Sequence, residues 1–516
     1  MNNFAWLTTL MLLPMLGAVL VVALPRKEGS ALPKQVALGV SLVVLAVAAG
    51  VGVGFEPDGA RYQYTELTDW IKAFGAHYSM GLDGIGLTLV LLTAVLTPIV
   101  ILASWNDADP TPEGGKRYSV NAFFALMLVL EGLAIGVFCA TDVLLFYVLF
   151  EATLIPIYFL IGGFGGPGRS YAAVKFLLYN LFGGLLMLAS VVGLYAESAK
   201  SEGGATYLLS ELSQLDLGTN VERWLFLGFF ISFAIKAPLF PVHTWLPDAA
   251  AEATPGTNVM MVSVLDKIGT FGMIRFCLGL FPNASDWATP VVLGLATISV
   301  VYGALAAIGQ RNIPRLIAFT SVSHFGFIVL GIFVFNSLGQ SGSTLYMFNH
   351  GLSTAALFLV GGFLVSRRGS ALIEDFGGVE KVAPILAGSF LVAGLSTLSL
   401  PGLSPFVSEF MVLAGAFTYN YWYAVVTVSA IVLAALYILL MYQRTMTGPL
   451  RPEVAGMPDL NVREIAVVAP LVALIVGLGF YPQPLLDAIN PAVEHTLTHV
   501  GKEDPAPTLS AGEESN

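Results

Sequence analysis

Eight ionisable side chains fall inside long apolar stretches of this sequence, and they alternate between acid, base and histidine. They are Glu131, Glu151, Lys236, Asp266, Lys267, His324, His350 and Glu409. A charged side chain at the centre of a bilayer costs at least about 2.5–3.5 kcal/mol, so each one requires a partner or a function. One such residue is compatible with a structural role. A series of them across successive apolar segments indicates a path for charge.

The chemistry of this series suits protons. A buried lysine without a counter-ion can release its proton near neutral pH, whereas a lysine that faces a carboxylate retains it. Histidine titrates in the same range and can relay a proton. The sequence shows no cage of several oxygen ligands for a hard cation. We therefore predict proton transfer, with Glu131 and Asp266 as the less certain members of the series.

Proline interrupts two of the apolar stretches next to a charged residue. In FAIKAPLFPVHTWLPDA, Lys236 lies two residues before Pro238, and in STLSLPGLSPFVSEF, Glu409 lies four residues after Pro405. Proline removes a backbone hydrogen bond, and such breaks persist in membranes where protein or water satisfies the freed groups. The alternative is a pair of kinked packing helices without transport.

The composition requires lipid around these segments. Of the 516 residues, 56% are hydrophobic and 11% are charged, against about 25% charged in soluble domains. A span needs about 20 apolar residues. The N-terminus lacks a basic region and a small-residue cleavage site, so it is interpreted as the first span rather than as a signal peptide. We predict an all-α polytopic membrane protein of about fourteen spans, which start near Phe4, Val36, Gly86, Ser119, Asp142, Tyr171, Trp224, Pro255, Ala288, Asn312, Ser341, Ala383, Tyr421 and Val462.

The two broken helices are the seventh and twelfth spans, and each is fourth in a group of five. Corresponding interruptions in two halves are typical of inverted-repeat transporters. We predict N-terminal helices 1–3 in residues 1–117, a first five-helix repeat in 118–280 and a second in 281–446. Helix 14 and an acidic tail follow in 447–516.

Lysine and arginine are distributed unevenly between the loops. With the N-terminus outside, fifteen of the 23 basic residues fall on the inner side and five on the outer side. Lys236, Lys267 and Arg275 lie in or at the ends of spans. Inner loops of membrane proteins carry the excess of basic residues, so both termini are predicted to be outside.

Several other features indicate no separate function. The sequence has no basic stripe with interleaved aromatic residues, so it does not predict nucleic-acid binding. Cys139 and Cys277 lie in apolar runs and are interpreted as small buried hydrophobic residues. The loop GGFGGPGR at 162–169 lacks the lysine of a P-loop. For His243, capping or interfacial anchoring is as good an interpretation as proton transfer.

Six segments resemble the antiporter-like membrane subunits of respiratory complex I, and within them the NADH-quinone oxidoreductase subunit M (NADH dehydrogenase subunit 4) type. They are YSMGLDGIGL at 78–87, FYVLFEATLIPIYFLIGGFG at 146–165, FAIKAPLFPVHTWLPDA at 233–249, RLIAFTSVSHFGFIVLGI at 315–332, NHGLSTAALFLVGG at 349–362 and LPGLSPFVSEF at 400–410.

The resemblance implies roles for individual residues. Glu151 matches the glutamate that pairs with the lysine of broken helix seven, here Lys236. Lys267 matches the central lysine of helix eight. His324 and His350 match the polar relay between the halves, and Glu409 matches the terminal residue of broken helix twelve. Relatives of the L and N type usually carry lysine at that last position.

The chain departs from the family pattern at two points. Ala250 replaces a histidine in LPDAAAEATPG at 246–256, and Asp266 replaces a usually apolar residue. Adjacent helical residues point about 100° apart, so we expect that Asp266 and Lys267 do not form the main ion pair with each other. Asp266 should still favour positive charge nearby.

The resemblance implies a proton-translocating, non-redox subunit of NADH:quinone oxidoreductase in the cell inner (plasma) membrane. This chain would hold no cofactor and no metal. NADH, FMN, iron–sulfur clusters and quinone would belong to partner subunits, and the neighbours would be L-type and N-type subunits and lipid. A subunit of a sodium/proton antiporter or of a membrane-bound hydrogenase, or a non-conducting scaffold of the membrane arm, remains an alternative.

Overall fold

The computed structural model describes residues 4–26, 29–109, 118–201 and 203–504. The basic residues Lys27, Lys116 and Arg117, which contribute to the predicted topology, lie outside the described residues. Glu513 and Glu514 of the acidic tail do so as well.

The N-terminal region consists of three helices and a hairpin. The elements in chain order are α1 (Trp6–Ala23), α2 (Leu32–Val53), β1 (Gln63–Ile71), a 3-10 turn (Lys72–Phe74), β2 (Ala76–Leu82) and α3 (Gly84–Ala103). The strands are antiparallel, with Gln63 opposite Leu82 and Ile71 opposite Ala76. Gly75 between them has φ +62°, which glycine adopts without a Cβ clash. The hairpin was not predicted, because its segment is recognisable in the sequence only as a long acidic loop.

The first predicted repeat contains more interruptions than its sequence suggests. Its elements up to helix seven are α4 (Val120–Cys139), α5 (Val143–Ala152), α6 (Leu154–Phe164), α7 (Arg169–Ser198), α8 (Leu209–Leu212), α9 (Thr219–Lys236) and α10 (Trp245–Glu252). The predicted break in helix seven is the unwound stretch 237–244. The fifth span also breaks, at Thr153, because Pro156 has no N–H for the carbonyl of Ala152.

Helix eight is built from alternating α and π segments. They are α11 (Pro255–Asn258), a π segment (Val259–Leu265), α12 (Asp266–Gly272) and a second π segment (Met273–Leu278). A π segment widens the helix and frees carbonyls from the regular ladder, and such segments are frequent at functional sites. Lys267 lies at the start of α12, directly after the first π segment.

The second half follows with longer helices. The elements are α13 (Pro282–Ile308), α14 (Ile313–Phe333), α15 (Ser337–Arg368), 3-10 turns at Ile373–Asp375 and Val379–Lys381, α16 (Pro384–Thr397), α17 (Ser404–Tyr419), α18 (Tyr421–Met446), a 3-10 turn at Pro452–Val454, α19 (Val462–Phe480) and α20 (Gln483–His499). Helix twelve is broken between α16 and α17, as predicted. The helix α20 was not predicted, and its His499 Nε2 lies 2.9 Å from the carbonyl oxygen of Gly279 rather than in solvent.

Within the described residues, eleven helices are long and apolar enough to cross a membrane. Three further predicted spans are interrupted and are not among these eleven: α9 with α10, the α/π helix at 255–278, and α16 with α17. The count of fourteen spans and the inverted repeats therefore stay predictions. The fold itself is helical, as predicted, apart from the hairpin.

Burial separates the helices into a core and a surface. In the most apolar 18-residue stretch of each helix, 100% of the residues of α14 and 94% of those of α15 are buried, against 28% for α2 and for α19. An apolar helix with most of its side chains exposed is suited to contact lipid. The two enclosed helices carry His324 and His350, so the structure places these polar side chains where lipid does not reach.

Candidate proton-transfer site

The break in helix seven ends in a buried lysine. Lys236 is the last residue of α9 and is 1% exposed. Its Nζ donates to Thr153 Oγ1 at 3.3 Å, at the break between α5 and α6, and lies 5.1 Å from the centre of the Phe150 ring. The indole of Trp245 donates to the carbonyl of Ile235 at 2.9 Å and satisfies one group of the freed helix end.

Glu151 lies on α5 two residues before Thr153, but its carboxylate and the Lys236 ammonium do not form an ion pair within 4.0 Å. The pairing implied by the resemblance is therefore not a direct contact here, although the two charges attract one another. Glu151 is partly buried, and its Oε1 is enclosed without a hydrogen-bond partner among the described residues. Gly184 of α7 makes room for the carboxylate, since a Cβ there would stand 1.8 Å from Oε1.

Lys267 makes two short contacts in the site. Its Nζ donates to the carbonyl of Val262, in the first π segment, at 2.7 Å. The same nitrogen lies 2.7 Å from Nδ1 of His350 on α15. When Lys267 is an ammonium it can only donate, so in that state Nδ1 of His350 accepts this hydrogen bond and the neutral imidazole carries its proton on Nε2. Lys267 and His350 therefore join helix eight to the second half of the chain.

The contacts continue from His350 towards Glu409. The ring centre of His324 lies 5.2 Å from that of His350 and 5.9 Å from that of Tyr346. The hydroxyl of Tyr346 donates to Glu409 Oε2 at 2.8 Å, and the hydroxyl of Ser399, in the break of helix twelve, also donates to it. The structure thus brings Lys267, His350, His324 and Glu409 into one line of buried polar groups.

Tyr346 was missed at the sequence level. It lies four residues before His350, and residues i and i+4 share one face of a helix. A tyrosine one turn from a histidine within an apolar stretch was the available signal. The contact with Glu409 joins residues that are 63 positions apart in the chain, so the sequence did not indicate it.

Glu131 and Asp266 are buried acids. Neither carboxyl oxygen of either residue has a hydrogen-bond partner in the described part of the chain. Asp266 and Lys267 form no ion pair with each other, in line with their helical directions. Glu131 lies on α4, away from the line of contacts, and the structure does not bring it to the other predicted residues.

His243 is buried among aromatic rings rather than capping a helix or lying at an interface. Its ring centre is 5.0 Å from that of Tyr302 and 6.0 Å from that of Phe240. Ala250, at the position where the resemblance implies a histidine, is fully buried, and its carbonyl accepts from Asn258 Nδ2 at 2.9 Å. Among the residues that the structure describes, no three His, Cys, Asp or Glu side chains come together to hold a metal ion.

Comparison with known proteins identifies the family of this chain. Residues 140–434 match the family described as NADH:quinone oxidoreductase/Mrp antiporter, transmembrane. NADH-quinone oxidoreductase subunit M of Mycobacterium tuberculosis is 53% identical over 99% of this chain and 97% of its own length. The subunit M of Rhodobacter capsulatus is 37% identical over 95% and 96%. The chain belongs to this family, on its subunit M branch.

Solved structures show the same fold. A chain of respiratory complex I from Thermus thermophilus superposes with a TM-score of 0.86 at 30% identity, over 96% of this chain and all of that chain. A chain of the Mrp complex from Dietzia matches with a TM-score of 0.81 at 21% identity, over 96% of this chain and 100% of that chain, which shows the fold alone. Of the predicted site residues, Glu131 falls outside the segment that matches the family.

Three ion pairs, formed by two acids, were also missed. Arg275, in the second π segment, forms a buried ion pair with Asp83 at 2.8 Å. Asp248 of α10 pairs with Lys175 of α7 at 2.6 Å and with Arg315 of α14, and so ties helices of the two predicted repeats together. Each acid lies within a motif used for the resemblance, but only the fold identifies its partners.

Proposed function

We propose that this chain translocates protons as a membrane-arm subunit of a NADH:quinone oxidoreductase, through Glu151, Lys236, Lys267, His324, His350 and Glu409. The contact of 2.7 Å between Lys267 Nζ and His350 Nδ1 carries the proposal. It provides a hydrogen bond along which a proton can pass from an amine to an imidazole inside the protein. The family relationship supports the assignment to this class of complex.

The proposed path follows the buried contacts. Lys236 holds a proton while Glu151 is charged and releases it when that charge is removed, because an opposite charge favours the protonated lysine. Lys267 passes a proton to His350, and His324 and Tyr346 lie between that imidazole and Glu409. Glu409 would then exchange protons at the break of helix twelve, where unpaired backbone groups favour water.

We further propose that the redox chemistry takes place in partner subunits. Cys139 and Cys277 are both buried and free, so neither belongs to a cysteine group of the kind that holds an iron–sulfur cluster. We propose that NADH, FMN, iron–sulfur clusters and quinone bind in those partner subunits. The neighbours would be the L-type and N-type subunits of the same membrane arm. The chain would lie in the plasma membrane with both termini outside. It would be divided into four regions, 1–117, 118–280, 281–446 and 447–516.

The alternatives are separated by specific observations. An antiporter subunit shares the fold, but relatives of that type usually carry lysine where this chain has Glu409, and here two hydroxyls donate to this acid. A scaffold would not need a buried lysine in contact with a buried histidine, because each such residue lowers stability without serving assembly.

The test is NADH-driven proton uptake by the purified complex in liposomes. Purification through a tag on this chain should recover the other oxidoreductase subunits. Lys267→Ala should assemble and reduce pumping by about tenfold or more, as expected for loss of a proton-transfer group. Lys200→Ala, which removes an exposed lysine paired with Glu197, is the control and should pump like the parent. An assembled Lys267→Ala complex with full pumping would contradict the proposal.

A further inference from the structure

Asp266 is a buried acid that the proposed path does not use. It is 1% exposed, and neither carboxyl oxygen has a hydrogen-bond partner among the described residues. A buried carboxylate is stable only with compensation from charges or hydrogen bonds. Its position at the junction of the first π segment and α12 makes it the residue directly before Lys267.

The helix that carries Asp266 lies against the break of helix seven. A Cβ on Gly269 would stand 2.5 Å from the backbone nitrogen of Ala237 and 2.6 Å from the carbonyl oxygen of Phe233. Glycine at this position therefore permits close contact between α12 and the end of α9. The last residue of α9 is Lys236. Asp266 is therefore near Lys236 as well as next to Lys267 in the chain.

Both lysines act on Asp266. The charges of Lys267 and Lys236 both favour the ionised carboxylate of Asp266, and Lys267 has the larger effect. Asp266 also favours the protonated form of Lys236. The other ionisable groups on the elements that pack against α12 are not among the charges that act on Asp266. They include Glu131 and Cys139 on α4, Glu222 and Arg223 on α9, Arg275 and Cys277 in the second π segment, Arg315 and His324 on α14, and Tyr346 and His350 on α15. Helix α3 carries no charged residue between Gly84 and Ala103. Asp266 thus lies in the field of two ammonium groups that do not contact each other.

We propose that Asp266 is the proton-transfer group that connects Lys236 to Lys267. This inference rests on the proposed function and assigns the step between the two halves of the site. The ammonium of Lys236 loses one proton and becomes a neutral amine, while the Asp266 carboxylate gains it and becomes a carboxylic acid. The acid then gives that proton to the neutral amine of Lys267, which becomes an ammonium, and Asp266 returns to its charged form.

A fixed counter-ion is the competing structural role. It would remain charged throughout and would need only a negative charge at this position. A proton carrier must also bind and release a proton during turnover. The two roles predict different spectra, because only the carrier produces a carboxylic-acid C=O band that changes as the complex turns over.

The experiment uses the whole complex in liposomes, with three variants of one residue. Asp266→Asn keeps the shape but neither ionises nor carries a proton, and it should lower pumping and coupled NADH oxidation by about a hundredfold or more, as for loss of a general acid–base group. Asp266→Glu restores an ionisable carboxyl and should recover at least half of the activity. Asp266→Leu removes the buried polar group altogether, so it assembles if the asparagine does not, and it should show the same loss.

Ser263→Ala is the matched control. It removes another buried polar side chain from the same helix, about one turn earlier, and should pump like the parent. The infrared difference spectrum of the turning-over parent should contain a carboxylic-acid band that is absent from Asp266→Asn and Asp266→Leu and retained in Ser263→Ala.

The outcomes separate this inference from the proposed function. If the parent pumps, Lys267→Ala does not, and the assembled Asp266→Asn or Asp266→Leu complex pumps fully, the inference is wrong and the proposed function stands. A loss of pumping with an unchanged carboxylic-acid band would identify a fixed counter-ion and would also overturn it. If Lys267→Ala pumps fully, the proposed function itself is wrong.

Discussion

At the scale of single residues, hydroxyl groups determine how Glu409 is held. Tyr346 and Ser399 both donate to the same carboxylate oxygen, and Glu409 is 5% exposed. Hydrogen bonds to an ionised acceptor are about twice as strong as neutral ones. The acid therefore has two hydrogen-bond donors within its own chain. This arrangement makes Glu409 a suitable terminal group for the proposed path.

The matching prediction replaces this acid without changing its shape. Glu409→Gln still accepts both hydroxyl donors but cannot ionise, so the complex should assemble while pumping falls by about a hundredfold or more. Proton uptake by liposomes, measured beside the amount of assembled complex, checks this. Glu374→Gln changes an exposed acid in a loop and should have no effect. If Glu409→Gln pumps normally while Glu409→Ala fails to assemble, Glu409 has an assembly role instead.

At the scale of elements, the hairpin is attached to helix eight through one buried ion pair. Asp83 follows β2, accepts from the backbone N–H of Gly86 at 2.8 Å and pairs with Arg275 at 2.8 Å. The guanidinium carbon of Arg275 also lies 5.0 Å from the ring centre of Tyr62, just before β1. Both ends of the hairpin thus contact the second π segment.

Breaking this pair should destabilise the protein. Arg275→Met leaves the charge of Asp83 buried and unpaired, which costs about 3–5 kcal/mol. The thermal unfolding temperature of the purified complex in detergent should fall. The double variant Arg275→Met with Asp83→Asn removes both charges and should recover part of the loss, because the asparagine can still cap α3. Equal unfolding temperatures for the parent and Arg275→Met would show that the pair is not stabilising.

At the scale of the whole molecule, the distribution of basic residues predicts the orientation in the membrane. The native chain is convenient for a direct measurement, because Cys139 and Cys277 are both buried and should not react with a reagent that cannot cross the bilayer. Lys200 and Lys381 lie on predicted opposite sides, and both are exposed.

Lys200→Cys should therefore be labelled in intact cells by a membrane-impermeant maleimide, whereas Lys381→Cys should be labelled only after the membrane is opened. The physical reason is that basic loops are retained on the inner side during insertion. The parent chain, with its two buried cysteines, is the control for background labelling. The reverse pattern would place both termini inside and reverse the direction of the proposed path.

The sequence by itself determined the membrane fold and the candidate residues. Apolar segments of span length and the cost of burying charge are local properties, so the positions of Lys236, Lys267 and His350 in apolar segments and the two proline breaks were available without coordinates. The tertiary structure alone decided which of these groups touch. Lys267 reaches His350 across 83 positions of the chain, and Glu409 reaches Tyr346 across 63. Such contacts depend on helix packing, on the π segments that free carbonyls, and on glycines that permit close approach, none of which has a local signature in the sequence.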